Sequence, residues 1–335
     1  MLRSRRKFNA CALSLPLLVE MNRTIIVGAG GQDGRILSEL LEKDGAAVLA
    51  IGRESARATE PFMPGRIDIM DRACVREVVK KWRPDHVYYL AAHHHSSQDS
   101  MDADTVELFE KSHAIHVRGL LHFLEAIKDG APLARLFYAA SSLVFGDVTS
   151  ETQDERTPMN PRCIYGITKA TGLHCCRFYR EAHGVFASAG ILFNHESAYR
   201  QEKFVSQKII RAALEIAAGK REKLILGDLS AKIDWGYVPD FTDAMTRILA
   251  LDHADDFVIA TGEAHSVGEF AEIAFRLAGL DWKSHVEENL SVLQRRRPAL
   301  VGDASKLRNA TGWRPSVTFP EMVRLLLESQ RKFAG

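Results

Sequence analysis

Little in this chain marks an exported, membrane-spanning or nucleic-acid-binding protein. The five cysteines are odd in number, form no C-x-x-C, and include the adjacent pair Cys175 and Cys176, poorly placed to bridge each other. That usage reads as reduced thiols in a cytoplasmic protein. Net charge is only +1 over 335 residues, so no global field draws the chain to nucleic acid or an anionic membrane. There is no internal repeat and no low-complexity linker. The early apolar stretch ACALSLPLLV follows Arg3, Arg5, Arg6 and Lys7 in the manner of a short secretory signal, but is too short to span a bilayer. A buried strand starts soon afterwards at Thr24, with Met21 just before it. Residues 1–20 are therefore expected to be an extension outside the fold, with Met21 as the natural start.

What is present is ordinary globular composition, 46% hydrophobic and 26% charged, in a length that suits one large α/β domain or two units sharing a core. TIIVGAGGQDGRILSELLEKDG reads as strand, glycine turn and helix, with Ile36, Leu37, Leu40 and Leu41 at helical spacing. Strands are expected at 46–53, 86–92, 134–146 and 186–194, and helices at 74–85, 113–129 and about 165–183. This alternation predicts an α/β fold, a Rossmann-like doubly wound parallel sheet. After Asn194 the rhythm changes to helices at 204–219, 239–251 and 267–279 with short strands between. The expected division is a dinucleotide-binding domain over 21–194, with returning segments near 235–262, and a smaller C-terminal substrate-binding lobe over 195–335.

Gly28, Gly31 and Gly34 form G-x-x-G-x-x-G between a strand and a helix, with Gln32 and Asp33 in the same cradle. Glycines let backbone approach a pyrophosphate, and the helix N-terminus supplies N–H groups and positive potential. Arg53 ends the second strand, where an acid would hold the free ribose of NAD. An arginine favours the 2′-phosphate of NADP, with Arg57 as a helper, although the neighbouring Glu54 leaves NAD possible. Asp68 is a candidate for the adenine amino group. Leu90, Ala91 and Ala92 are suited to line the cofactor channel.

Tyr165 and Lys169 form Y-x-x-x-K at a helix start, one turn apart on one face. A lysine ammonium beside the phenol is expected to lower its pKa, so that the phenolate takes a hydroxyl proton while a nicotinamide takes the hydride. Ser141, at the end of a small-residue strand, is placed to hydrogen-bond the same alcohol. The run His93, His94, His95 alternates sides on an extended segment, which argues against a metal site and for a polar loop beside the substrate.

The chain resembles the extended short-chain dehydrogenases/reductases and, within them, the GDP-mannose 4,6-dehydratase family. The stretches that carry the likeness are GAGGQDG, PRCIYGITKA, GILFNHES, FVSQKI, LGDLSAKIDWGYVPDF and DFVIATGEAHSVGEF. The resemblance implies hydride removal from carbon 4 of a GDP-hexose, proton removal from carbon 5, loss of water from carbon 6 and return of the hydride there. It assigns Tyr165 as base, Lys169 as its partner and Ser141 as hydroxyl ligand. It also implies a substrate side of Ser142, Asn194, Glu196, Arg200, Lys208 and Arg297, and a homodimer or homotetramer paired through the helices near 113–129 and 165–183. Four departures stand out. The family carries a catalytic glutamate where this chain has Leu143, a tyrosine where it has Phe145, Arg-Arg after the NHES segment where it has Tyr199-Arg200, and an arginine before DWG where it has Ile233. The missing acid opens alternatives: a GDP-sugar 4-epimerase, 4-reductase or 4-oxidase, or a non-catalytic nucleotide-sugar-binding subunit, against which the intact Tyr165/Lys169 pair argues. Replacement acids or bases to consider are His93, His94, His95, Glu151 and Glu155.

Overall fold

The computed structural model describes residues 22–60, 66–93, 104–148, 150–292 and 299–334. Residues 1–20, Met21, His94, His95 and Arg297 lie outside the described residues. The strands in chain order are β1 (Arg23–Val27), β2 (Ala47–Ile51), β3 (Ala56–Ala58), β4 (His86–Tyr89), β5 (Arg135–Ala139), β6 (Phe186–Leu192), β7 (Asn194–Glu196), β8 (Leu224–Leu226), β9 (Lys232–Tyr237), β10 (Asp256–Ile259), β11 (Ala264–Ser266) and β12 (Val286–Glu288). The α-helices are α1 (Gln32–Lys43), α2 (Arg72–Trp82), α3 (Thr105–His113), α4 (Gly119–Gly130), α5 (Ile164–His183), α6 (Val205–Ala217), α7 (Val238–Leu249), α8 (Val267–Leu277), α9 (Ser305–Thr311) and α10 (Phe319–Ala334).

Seven strands form the main sheet in the order β10-β6-β5-β4-β1-β2-β3. All its pairings are parallel except the edge pair β2–β3, a three-residue antiparallel addition that the sequence pattern did not reveal. The chain order reverses between β1 and β4, which opens a crevice beyond their carboxyl ends. Strands buried on both faces read as unbroken apolar runs, and β2 is buried at every position. On one face pack Val75, Val79 and Trp82 of α2, Leu120, Phe123 and Leu124 of α4, and Leu173 and Cys176 of α5. On the other pack Leu37 and Leu41 of α1, Phe241, Met245 and Ile248 of α7, and Leu307 of α9. A separate apolar core joins α6, α8 and α10 through Ile209, Phe270, Phe275 and Leu326. No helix among the described residues is long and apolar enough to cross a membrane.

The helix expected at 113–129 begins earlier and is broken. Asp104 caps α3 by accepting from Val106 N (2.8 Å) and Glu107 N (3.3 Å). Between α3 and α4, residues Ala114–Arg118 make one π turn. A π turn displaces carbonyls from the regular ladder, and two buried tyrosines of the sheet donate to carbonyls here. Tyr89 Oη donates to Ile115 O at 2.6 Å and Tyr138 Oη to His116 O at 3.3 Å. The strands expected at 86–92 and 134–146 stop at Tyr89 and Ala139, where the backbone leaves the ladder to form the crevice floor.

This packing leaves no space at Gly172 of α5, where a Cβ would lie 2.3 Å from Tyr138 Oη and 2.9 Å from His116 O. Gly172→Ala is expected to cost about 1–3 kcal/mol in urea unfolding through overpacking. Gly130→Ala, where a Cβ meets nothing within 4 Å, should change stability little.

Candidate active site

The crevice widens into a cavity of about 1290 Å³. Gly28, Gly31, Gln32, Asp33, Gly34, Arg53, Asp68, Leu90, Ala92, Tyr165, Lys169, Ser141, Ser142, Asn194 and Arg200 all line it. Residues that were far apart in the sequence thus share one chamber. At one end, Gly28 has φ +94° and a Cβ there would sit 2.6 Å from Ala91 N. A Cβ at Gly34 would lie 2.6 Å from Gly28 O, so this glycine allows α1 to start against the turn. Gly30, in contrast, faces open space. The turn is thus a close backbone cradle opening on the N-terminus of α1, as a diphosphate requires.

Toward the outer edge of the crevice, Arg53 and Arg66 both line the cavity, with Glu54 and Asp68 beside them. Asp68 closes a local turn by accepting from Met70 N at 2.9 Å. Arg57 does not help Arg53. It lies on β3 and pairs with Glu42 of α1 at 2.7 Å, because the antiparallel β3 points it back over that helix.

At the inner end, Tyr165 and Lys169 stand on the first turns of α5. Cys163 caps this helix, its Sγ accepting from Gly166 N at 3.4 Å. Ser141 closes β5 and accepts Leu143 N at 3.3 Å. Leu143 stands in the short helical turn Ser142–Val144 and also lines the cavity. Lys169 is buried, and its Nζ donates to Ala139 O at 2.6 Å and lies 5.7 Å from the Tyr165 ring. The expectation that the lysine lowers the phenol pKa is corrected in this arrangement. Burial dominates and holds Tyr165 above its ordinary value, with Arg200 pulling the other way. Burial also lowers Lys169 to about 7, against the opposing field of Asp33. Behind the tyrosine stands His116, fully buried, its ring edge-on to Tyr165 at 5.1 Å. Its Nε2 accepts from His93 N at 2.9 Å, so Nδ1 carries the proton toward Thr168 Oγ1 at 2.8 Å.

Several sequence assignments move. Glu196 points into the protein: it is buried, accepts from Ser206 Oγ at 2.6 Å and faces Arg200 Nε at 3.5 Å. It braces β7 against α6 and does not line the cavity. Lys208 sits one turn further along α6 than the lining residues Phe204 and Val205 and is not among them. Glu155 accepts from Val258 N at 2.7 Å at the sheet edge, and Glu151 is on the surface, so neither faces the chamber. His93 likewise does not line it. Sequence reasoning missed Arg66, Lys203, Lys232, the Asp147–Arg162 pair (2.9 Å) and His195, all of which line the cavity. Lys232 and His195 lie inside the stretches LGDLSAKIDWG and FNHES, so the signal was present but not resolved to these residues.

Comparison with known proteins agrees with this geometry. The GDP-mannose 4,6 dehydratase family profile matches residues 25–326. GDP-mannose 4,6 dehydratase 2 of Arabidopsis thaliana is 35% identical over 92% of this chain and 87% of its own length. The GDP-mannose 4,6 dehydratase of Homo sapiens is 33% identical over 92% of this chain and 91% of its own. Among solved structures, RMD from Pseudomonas aeruginosa complexed with NADPH superposes with a TM-score of 0.78 at 20% identity, covering 93% of this chain and all of that one.

Lys169 makes stability depend on pH in a defined window. Its folded pKa of about 7 lies below the ordinary 10.5. Between these values the unfolded chain holds a proton that the folded chain does not, so this group's contribution to stability rises with pH. Lys169→Met, unfolded thermally without ligands, is therefore expected to gain most over the wild type near pH 7 and to lose that advantage toward pH 10.

Proposed function

The chain belongs to the GDP-mannose 4,6 dehydratase family, and from that premise we propose that it works on carbon 4 of a GDP-linked hexose with NADP, in the manner of a GDP-mannose 4,6-dehydratase. The observation that carries the reading is the meeting of Ser141, Tyr165 and Lys169 in the same cavity as the glycine cradle. Gly28, Gly31 and Gly34 would hold the diphosphate of the cofactor, Asp68 its adenine, and Arg53 with Arg66 the 2′-phosphate. Two guanidiniums at that end suit a phosphate dianion and favour NADP over NAD. When bound, the nicotinamide supplies a hydride acceptor.

The residues of the chain do the rest. Ser141 keeps its hydroxyl proton available to orient the carbon-4 hydroxyl, since its oxygen is the acceptor in its bond to Leu143. Tyr165 takes the hydroxyl proton as the alcohol becomes a ketone. Arg200 supplies positive potential that favours the phenolate, against the larger opposing effect of burial. Asn194, Arg200, Lys203 and Lys232 line the far part of the chamber and suit a nucleotide diphosphate and its sugar. The substrate-binding lobe is proposed to be residues 195–335, less α7, β10 and α9, which lie on the main sheet.

Loss of water needs a base at carbon 5. Leu143 supplies none, and the candidates Glu151 and Glu155 are turned elsewhere. That favours a second reading in which the chain keeps carbon-4 redox chemistry and acts as a 4-reductase, 4-epimerase or 4-oxidase. A homodimer is proposed through α3 and α5, where Val106, Phe109, Ile167 and Phe178 expose apolar surface, and a cytoplasmic location is proposed, supported by the need for a nicotinamide cofactor pool.

Mass spectrometry of GDP-mannose incubated with NADP tests the first reading. Loss of one water supports the dehydratase; loss of two hydrogens with formation of NADPH identifies a 4-oxidase, and an unchanged mass with a new sugar on chromatography identifies a 4-epimerase. Tyr165→Phe is expected to fold normally and lose roughly 10²–10⁴ in turnover, the usual worth of a positioned acid–base group. Leu143→Glu should create or raise dehydration. No gain in a folded, sugar-binding variant would count against position 143 as the site of the missing base.

A further inference from the structure

This inference rests on the reading that the glycine cradle holds a dinucleotide. Asp33 stands in the first turn of α1 and lines the cavity. A carboxylate in that place repels the diphosphate that the helix N-terminus is there to attract. The structure pairs it. His195 Nε2 lies 3.0 Å from Asp33 Oδ1, and His195 Nδ1 lies 2.6 Å from Phe193 O. A carbonyl oxygen only accepts, and so does an ionised carboxylate, so both ring nitrogens carry protons and the ring is an imidazolium. Phe241 stacks on it at 4.5 Å and 19°. Beside the pair, Gln32 Nε2 donates to His195 O and Ser197 Oγ donates to Gln32 Oε1, each at 2.9 Å. Two consecutive residues of the cofactor turn thus grip the strand that carries Asn194 into the cavity.

We propose that His195 is a positioning residue acting through Asp33: its cation neutralises the carboxylate at the head of α1 so that this turn accepts a dinucleotide diphosphate, while the Gln32–Ser197 clasp holds β7 in register with it. The other charged or titratable groups facing the pair are Arg200, Lys169 and Tyr165. Asp240 of α7 is turned away to Ser316 and Val317, and Asp234 of β9 to Thr261, Gly262 and Gly302. Burial works against both charges, but mutual attraction overrides it, holding His195 above its ordinary value and Asp33 below. The neutral form of His195 would leave Asp33 bare, so cofactor affinity falls as pH rises past the histidine's raised pKa.

The test is the dissociation constant for NADPH, read by fluorescence quenching on the full chain, with thermal unfolding as the check on folding. His195→Gln should weaken NADPH binding roughly ten- to hundredfold, because it strands a buried carboxylate. The double variant Asp33→Asn, His195→Gln removes both charges and keeps hydrogen-bonding side chains, and should recover most of that loss. Wild-type affinity in His195→Gln, or a double variant as weak as the single, overturns the proposal. If the single variant does not fold, a ¹⁵N-histidine titration of the wild type decides: a His195 ring that keeps both protons at pH values where an ordinary histidine has lost one supports it, and a ring already neutral there overturns it. A folded wild type that binds no NADPH overturns the dinucleotide reading itself, which a failure confined to the variants does not.

Discussion

Backbone pressed against backbone at the crevice is the constraint on which the site depends. Gly28 lies so close to Ala91 that a single added carbon would overlap it, and Gly34 lies equally close to the turn it follows. These contacts fix where α1 begins relative to the ends of β1 and β4. The direction of the helix N-terminus, the level at which Asp33 meets β7 and the outer wall near Arg53 follow from that start. A side chain at either position would separate the two halves of the sheet where its order reverses.

Within the chamber, charge is buried at close quarters and balanced. Lys169, Asp33, His195 and Arg200 all border one space, and the three cations together hold the Asp33 carboxyl ionised against the cost of its burial. Burying such groups is costly unless they are paired and hydrogen-bonded. Here the balance comes from different elements: α1 gives the acid, β7 the imidazolium, α5 the ammonium and the β5 end the carbonyl that receives it. The π turn before α4 belongs to the same scheme, since it brings His116 behind Tyr165 and is held by tyrosines of the two central strands.

Much of this was legible in the sequence, for local reasons. Apolar runs and helical spacing located the main strands and helices, and the glycine turn and Y-x-x-x-K carry their chemistry within a few residues. What escaped depends on distant partners. The π turn at 114–118 is held by hydroxyls from β4 and β5. Glu196 and His195 are neighbours in one short strand, and only the docking of α1 decides that the histidine faces the cavity. Asp33 was readable as part of a cradle, but its partner is 162 residues away. Lys208 was placed by resemblance, whereas the face that α6 turns toward the chamber ends at Phe204 and Val205.

The position of β10 has a consequence for how the chain is made. The main sheet is complete only when Asp256–Ile259 pairs with β6, whose last residue is Leu192. Between them the ribosome delivers α6, the first helix of the second core, and α7. During synthesis β6 is therefore an open, apolar edge, and one face of the sheet lacks Phe241 and Met245 as cover until α7 emerges. Neither unit can finish alone from a nascent N-terminal piece. The interleaving that brings β7 against α1 in the mature protein also couples the two cores in time, and exposes the growing chain to edge pairing until the late strand arrives.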